Sequence, residues 1–215
     1  MSKRTNKKRF FIVGTDTNVG KTLIAASLSQ ALIKCGKSVC AIKPVASGGD
    51  NDVKILKKYS TPNNLSISDI NPFLFYDSIA PHLAAKKEGV ELSVSAIVKK
   101  TSRALNCDAD YIIIEGAGGW YTPLGDRESM ADLALAYNCP IILVVGIRLG
   151  CINHAVLTYE CMCNSGVKIA GWVANVVDKK MVYVGENIES LKLIIRAPLL
   201  GIVPYIKRLN RRQSP

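Results

Sequence analysis

The stretch that decides the fold runs Arg9-Phe10-Phe11-Ile12-Val13-Gly14-Thr15-Asp16-Thr17-Asn18-Val19-Gly20-Lys21-Thr22. Arg9 to Val13 is a short apolar, β-prone run and reads as a buried strand. Gly20 to Cys35 carries apolar residues at helical spacing and reads as a helix. Between them lies Gly14 to Thr22, GTDTNVGKT, a glycine-bearing turn at a strand-to-helix junction. Free backbone amides and the positive end of the helix make such a turn a cradle for phosphate oxygens. Lys21 is placed to reach β and γ phosphates, and the Thr22 hydroxyl to hold magnesium. The strict phosphate-loop pattern has glycine six residues before the lysine. Here Thr15 stands there and Gly14 one residue earlier, so the loop is a variant.

Outward from this unit the chain alternates strands and helices. Ser38 to Lys43 reads as a second strand, completing a βαβ unit, followed by a loop through Ala46 to Asn51 and a helix over residues 52 to 59. Pro62 to Pro72 reads as irregular and polar. Pro81 to Lys87 and Val94 to Leu105 read as helices, the second with Ser93 as its N-cap. Asp110 to Glu115 has the continuous apolar centre of a strand covered on both faces. Pro140 to Gly146, Val167 to Asn175 and Leu199 to Val203 give further strands; Ser129 to Tyr137, Cys151 to Asn164 and Lys180 to Ile194 give helices between them. The expectation is one α/β domain over residues 1–215, a P-loop NTPase-like, doubly wound, mostly parallel sheet with helices on both faces. Ligands of such sheets collect at the carboxyl ends of the strands.

Bulk properties exclude several classes. The chain has 215 residues, 48% of them hydrophobic, enough for a sizeable core. Its apolar runs, such as Tyr111 to Ile114, fall far short of the roughly 20 residues of a bilayer span, so no membrane association is expected. The basic N-terminus leads into a strand and not into an apolar secretory segment, which points to the cytoplasm. The net charge of +11 is concentrated at the ends: five basic residues fall in 3–9 and four in the last nine positions, and removing these nine leaves +2. Residues 1–8 and 208–215 therefore read as flexible basic tails, and no nucleic-acid partner is expected. Seven cysteines, an odd number without an export signal, read as free thiols. Cys161 and Cys163 lack the second ligand pair of a zinc site.

Phosphoryl transfer needs more positive charge than one lysine, and carboxylates for magnesium. Lys43 ends the second strand, Asp52 lies beyond it, and Glu115 ends the third strand just before Gly116-Ala117-Gly118-Gly119, where backbone can approach a ligand closely.

The segments GTDTNVGKT (Gly14 to Thr22), KPVASG (Lys43 to Gly48), EGAGGW (Glu115 to Trp120) with Thr122-Pro123-Leu124, and GCINH (Gly150 to His154) together resemble dethiobiotin synthetases. Pro81-His82, Gly171 to Asn175 and Ala197 to Gly201 extend the resemblance over nearly the whole chain. It implies an ATP- and Mg2+-dependent cyclo-ligase that forms carbon–nitrogen bonds in biotin biosynthesis. Its substrates are diaminopelargonic acid (7,8-diaminononanoate), carbon dioxide and ATP, and a homodimer places the diamine between subunits. On this resemblance Lys43 is the catalytic cation, and Thr15 and Ser47 face the substrate. Asn18, Val19, Gly20, Lys21, Thr22 and Leu23 cradle phosphate, with Gly116, Ala117 and Gly118 continuing the nucleotide site. Thr22, Asp52 and Glu115 set magnesium, and Gly150, Cys151 and Asn153 of the neighbouring subunit receive the substrate carboxylate at a helix N-terminus. Asn175, Val176, Pro204, Tyr205 and Ile206 fall around the nucleotide base. There the chain departs from the family: Val176 follows Asn175 where an aspartate is common, and Pro204-Tyr205-Ile206 replaces Pro-Trp-Leu. A looser nucleotide preference is the expectation. The alternative reading is a partition-type P-loop switch ATPase, which resembles this chain in fold but carries a lysine early in the loop where Asp16 stands here.

Overall fold

The computed structural model describes residues 7–62 and 64–206. Strands β1 (Lys8–Gly14), β2 (Val39–Ile42), β5 (Tyr111–Glu115), β6 (Ile141–Ile147), β7 (Ile169–Val176) and β8 (Leu199–Val203) form one parallel sheet in the order β2-β5-β1-β6-β7-β8. Alternation along the strands feeds two cores. Phe11 and Val13 point to one face with Ile112, Ile114, Leu143 and Trp172, while Ile12 points to the other with Ile113 and Val144. Helices α1 (Lys21–Lys34) and α2 (Asn51–Lys58) close the Ile12 face through Ile24, Ala25 and Leu56. The opposite face is closed by α5 (Val94–Leu105), α6 (Met130–Tyr137), α7 (Cys151–Asn164) and α8 (Val184–Ile194). All seven residues of β6 are buried, as its uninterrupted apolar run demands. The doubly wound α/β expectation is thus met.

Because every strand is parallel, all carboxyl ends lie along one edge. The chain leaves β1 in one direction for β2 and returns to the other side of β1 for β6, so the crevice opens at the end of β1, where Gly14 to Thr22 sits.

Several local expectations are corrected. Val45–Ser47 (β3), where a loop was expected from Ala46, and Phe73–Phe75 (β4), just beyond the expected irregular segment and given no element, pair as a separate two-stranded parallel sheet. Three-residue strands between prolines and glycines carry too few positions to show a period. Within the irregular segment lies a single turn, α3 (Ile67–Ile70), held by a capping box in which Ser66 Oγ accepts from Asp69 N and Asp69 accepts from Ser66 N at 2.7 Å. The helix expected from Lys180 starts at Val184, since Lys180 N donates to Asp178 Oδ1 at 2.8 Å and holds the chain in a turn. Two residues assigned to the expected N-terminal tail are held in the fold: Lys8 opens β1, and Lys7 Nζ donates to Asn106 O at 2.9 Å. The rest of that tail and the C-terminal one lie outside the described residues. Helix α4 (Pro81–Glu88) completes the set. Among the described residues no helix is long and apolar enough to cross a membrane.

Candidate active site

The loop after β1 is shaped by what lies under it. Val19 is buried, and its carbonyl accepts a hydrogen bond from Asn175 Nδ2 at 2.7 Å. Gly20, which caps α1, has φ 94°, and a Cβ there would lie 2.2 Å from Asn175 Nδ2, so only glycine fits. Asn18 also has positive φ, 60°, so the chain turns sharply ahead of the free amides of α1. Lys21 folds back over the loop, its Nζ donating to Asp16 O at 2.9 Å and to Gly118 O at 2.6 Å. Burial dominates its electrostatics and pulls its pKa down to about 8, even with Glu115 nearby. Gly118, at φ 63°, leaves no room for a side chain, because a Cβ would stand 2.1 Å from Thr122 Oγ1.

At the centre is Glu115, at the end of β5 and 1% exposed. Its Oε1 accepts from Lys43 Nζ at 2.7 Å and from Thr22 Oγ1 at 2.7 Å; its Oε2 is buried with no hydrogen-bond partner. Lys43 Nζ also stands 2.5 Å from Asp52 Oδ2. Burial lifts the Glu115 carboxyl above the usual carboxylate range against the pull of Lys43. Burial opposes the charge on Lys43 too, but the two carboxylates outweigh it and raise its pKa. Asp52, with its side chain 45% exposed, feels some lifting by burial, yet Lys43 overcomes this and holds it below the usual range.

The orphaned Glu115 Oε2, the Thr22 hydroxyl and Asp52 form a donor set of hard oxygens. Magnesium is commonly held by one or two carboxylates with the remaining positions filled by phosphate and water, so this set suits it. Among the described residues no cluster of three or more His, Cys, Asp and Glu could hold a metal by itself.

Beside the loop lies a cavity of about 420 Å³, lined among others by Thr15, Asp16, Trp120, Tyr121, Leu157 and Cys161. Asp16 is ion-paired to Arg148, which follows β6 and precedes Gly150. Gly150 caps α7 with φ 87°; Cys151 is buried at the first turn and Asn153 is exposed. Among the described residues no hydrogen bond joins Gly150, Cys151 or Asn153 to the Lys43 cluster; Cys151 Sγ instead lies 3.9 Å from Asn187 Oδ1.

The structure therefore gathers Lys21, Thr22, Lys43, Asp52, Glu115 and Gly118, with Gly116 and Ala117 in the same loop. Ser47 ends β3, its hydroxyl buried without a partner. Leu23 is partly exposed on α1. Asn175 lies under the phosphate loop, Val176 ends β7 opposite Ile147, and Pro204, Tyr205 and Ile206 are exposed beyond β8. Sequence reasoning missed Asn71, whose buried Nδ2 donates to Lys43 O at 2.6 Å while Lys43 N donates to Ile70 O at 2.9 Å. It missed Arg148 as the partner of Asp16 as well. Neither residue lies in a motif, and both act only through contacts made by folding.

The chain is 41% identical over 209 residues to the ATP-dependent dethiobiotin synthetase BioD of Aromatoleum aromaticum, covering 94% of this chain and 92% of that one. It belongs to the dethiobiotin synthetase family. A second dethiobiotin synthetase, from Pseudomonas aeruginosa strain UCBPP-PA14, is 44% identical over 205 residues, 92% of this chain and 90% of its own. A family profile described as an AAA domain matches residues 8–213. Among solved structures, the septum site-determining protein MinD of Pyrococcus horikoshii OT3 superposes with a TM-score of 0.58 at 17% identity, over 92% of this chain and 81% of its own. A plasmid partition protein of Borrelia burgdorferi B31 does so with a TM-score of 0.59 at 15% identity, over 97% and 91%. At such identities these structures share the fold alone, so the switch-ATPase resemblance ends at architecture and the dethiobiotin synthetases share sequence along nearly the full length.

Proposed function

We propose that this protein is an ATP-dependent dethiobiotin synthetase, joining carbon dioxide to both amines of 7,8-diaminononanoate with conversion of ATP to ADP and phosphate. The observation that carries the reading is the buried pairing of Lys43 with Glu115 beside Lys21 and Thr22, next to a cavity of about 420 Å³. That volume lies within the roughly 300–1,000 Å³ of small-molecule pockets.

One amine of the substrate adds to carbon dioxide to give a carbamate. A carbamate is a poor acylating agent until one oxygen becomes a leaving group, so the γ-phosphoryl of ATP is transferred to it. The second amine of the same molecule then attacks the carbonyl carbon, the ring closes, and phosphate departs. Holding both amines on one bound substrate makes the last step intramolecular, which removes most of its entropic barrier. Lys43 neutralises the carbamate and the charge that gathers on the transferring phosphoryl oxygens. Lys21 and the amides of Asn18 to Leu23 bind the β and γ phosphates, and the backbone of Gly116 to Gly118 lines the nucleotide. Thr22, Asp52 and Glu115 hold Mg2+, which when bound supplies charge neutralisation on the phosphate oxygens. Thr15 and Ser47 contact the diamine. Gly150, Cys151 and Asn153 of a second subunit receive its carboxylate, free helix amides favouring an anion there; the protein acts as a homodimer in the cytoplasm. Asn175, Val176, Pro204, Tyr205 and Ile206 flank the base, and the lack of an acid at Val176 loosens the choice of nucleotide.

Purified protein given 7,8-diaminononanoate, bicarbonate, Mg2+ and ATP is expected to release dethiobiotin, and Lys43→Ala and Lys21→Ala to abolish it with fold retained. ATP turnover that ignores the diamine, with no ureido product detected, would overturn the reading.

A further inference from the structure

The cavity beside the phosphate loop carries a single charge. Among the described residues that line it Asp16 is the one charged side chain, and Trp120, Tyr121, Pro123 and Leu157 give it apolar walls. Thr122 and Thr158 line it too, but their hydroxyls are bonded within the fold: Thr122 Oγ1 accepts from Gly119 N at 2.8 Å, and Thr158 Oγ1 donates to His154 O at 2.8 Å. The half-buried Asp16 carboxylate is held from two directions, Oδ1 accepting from Thr17 N at 2.7 Å and Oδ2 from Arg148. A carboxylate offers about four lone-pair sites, so these two contacts fix its plane and leave one site on each oxygen for a further donor. The carbonyl oxygen of the same residue accepts from Lys21 Nζ at 2.9 Å.

We propose that Asp16 determines specificity for an amine: its carboxylate accepts hydrogen bonds from one ammonium group of the diamine, while the apolar walls take the methylene chain. The inference rests on the reading of the protein as a dethiobiotin synthetase and adds to it the group that recognises an amine. A diamine enters this site carrying positive charge, and Lys21 and Lys43 repel it. Glu115 and Asp52 are both paired with Lys43 and belong to the set of oxygens suited to magnesium, so Asp16 is the carboxylate left to meet the substrate. Charge-assisted hydrogen bonds of this kind are about twice as strong as neutral ones. Because the Asp16 carbonyl holds Lys21, an amine on the Asp16 carboxylate also lies next to the lysine that binds phosphate, where ring closure needs it. Partition-type ATPases carry a lysine at this loop position; the acid reverses the sign of the charge offered to the ligand.

The test compares full-length wild type, Asp16→Asn and Asp16→Glu by calorimetric titration with 7,8-diaminononanoate, by titration with ADP and Mg2+, and by steady-state kinetics. Asparagine keeps an oxygen for Thr17 N and the backbone carbonyl for Lys21 and removes only the charge. Asp16→Asn should bind the diamine roughly 10- to 100-fold more weakly, as expected for the loss of a charged hydrogen bond, and its KM for the diamine should rise in step. Its affinity for ADP and KM for ATP should stay within about threefold, and Asp16→Glu should recover part of the diamine affinity. Diamine affinity in Asp16→Asn within about threefold of wild type would sink the proposal and leave the synthetase reading standing. Equal losses for diamine and ADP would also sink it, since they mark damage to the loop. A wild type that binds no diamine and forms no dethiobiotin would instead remove the synthetase reading, and this inference with it.

Discussion

Replacing Lys43 by Met separates stability from chemistry at this site. Lys43 is 6% exposed and Glu115 1%, with 2.7 Å between charges, so loss of the ammonium leaves a carboxylate uncompensated in the core. Breaking a buried pair from one side costs about 3–5 kcal/mol. The second pair, to Asp52, adds little, because that carboxylate is 45% exposed and solvent screens it. Against a total stability of roughly 5–15 kcal/mol, this shifts the urea midpoint clearly while leaving folded protein to assay. The double variant Lys43→Met/Glu115→Gln removes both charges and should regain more than half of the lost stability, since a neutral side chain no longer demands a counter-ion. Turnover behaves differently. Loss of one preorganised group that stabilises transition-state charge costs about 10²–10³-fold, and the double variant should stay as inactive as the single. Urea denaturation and dethiobiotin formation, measured on the same preparations, check both halves. Equal midpoints for wild type and Lys43→Met would refute the buried-pair argument. Recovery of activity in the double variant would refute the catalytic one.

Gly20→Ala should weaken nucleotide binding at least tenfold and lower stability, as φ 94° disfavours any side chain and the new Cβ meets Asn175 Nδ2; calorimetric titration with ADP reads the first and melting the second. Asn71→Ala takes the donor from Lys43 O and is expected to cost about 1–3 kcal/mol and to lower kcat while leaving the KM for ATP within twofold, which steady-state kinetics would show. Chelation with EDTA should stop turnover and added Mg2+ restore it, with the circular dichroism spectrum unchanged, because the Lys43 pair already holds the carboxylates together without the metal. Arg148→Ala breaks an exposed pair with Asp16 and should change stability by less than about 1 kcal/mol in a urea titration.

Legibility in the sequence followed the range of the physical cause. Val94–Leu105, Cys151–Asn164 and Leu199–Val203 start and end where the sequence places them, since apolar period, an N-cap such as Ser93 and a glycine such as Gly150 act within a few residues. The paired β3 and β4 did not show, because each has only three residues and exists through its partner. The delayed start of α8 turned on one side-chain hydrogen bond from Lys180 N to Asp178, which competes with the helix and which no period reveals. In the candidate site, Lys21, Thr22, Lys43, Asp52 and Glu115 could each be named from motif position. Their mutual geometry could not.

What the amino-acid order determined by itself is therefore the alternation of strands and helices, the glycine-bearing loop at the end of β1, and the residue types waiting at the strand ends, all consequences of local stereochemistry and apolar patterning. Only the tertiary structure decided that Glu115 would be sealed between Lys43 and Thr22 with one oxygen left over, and that Asn71 would hold the Lys43 backbone. Those contacts join segments distant in the chain, and they exist because parallel pairing brings β1, β2 and β5 side by side and buries what lies between them.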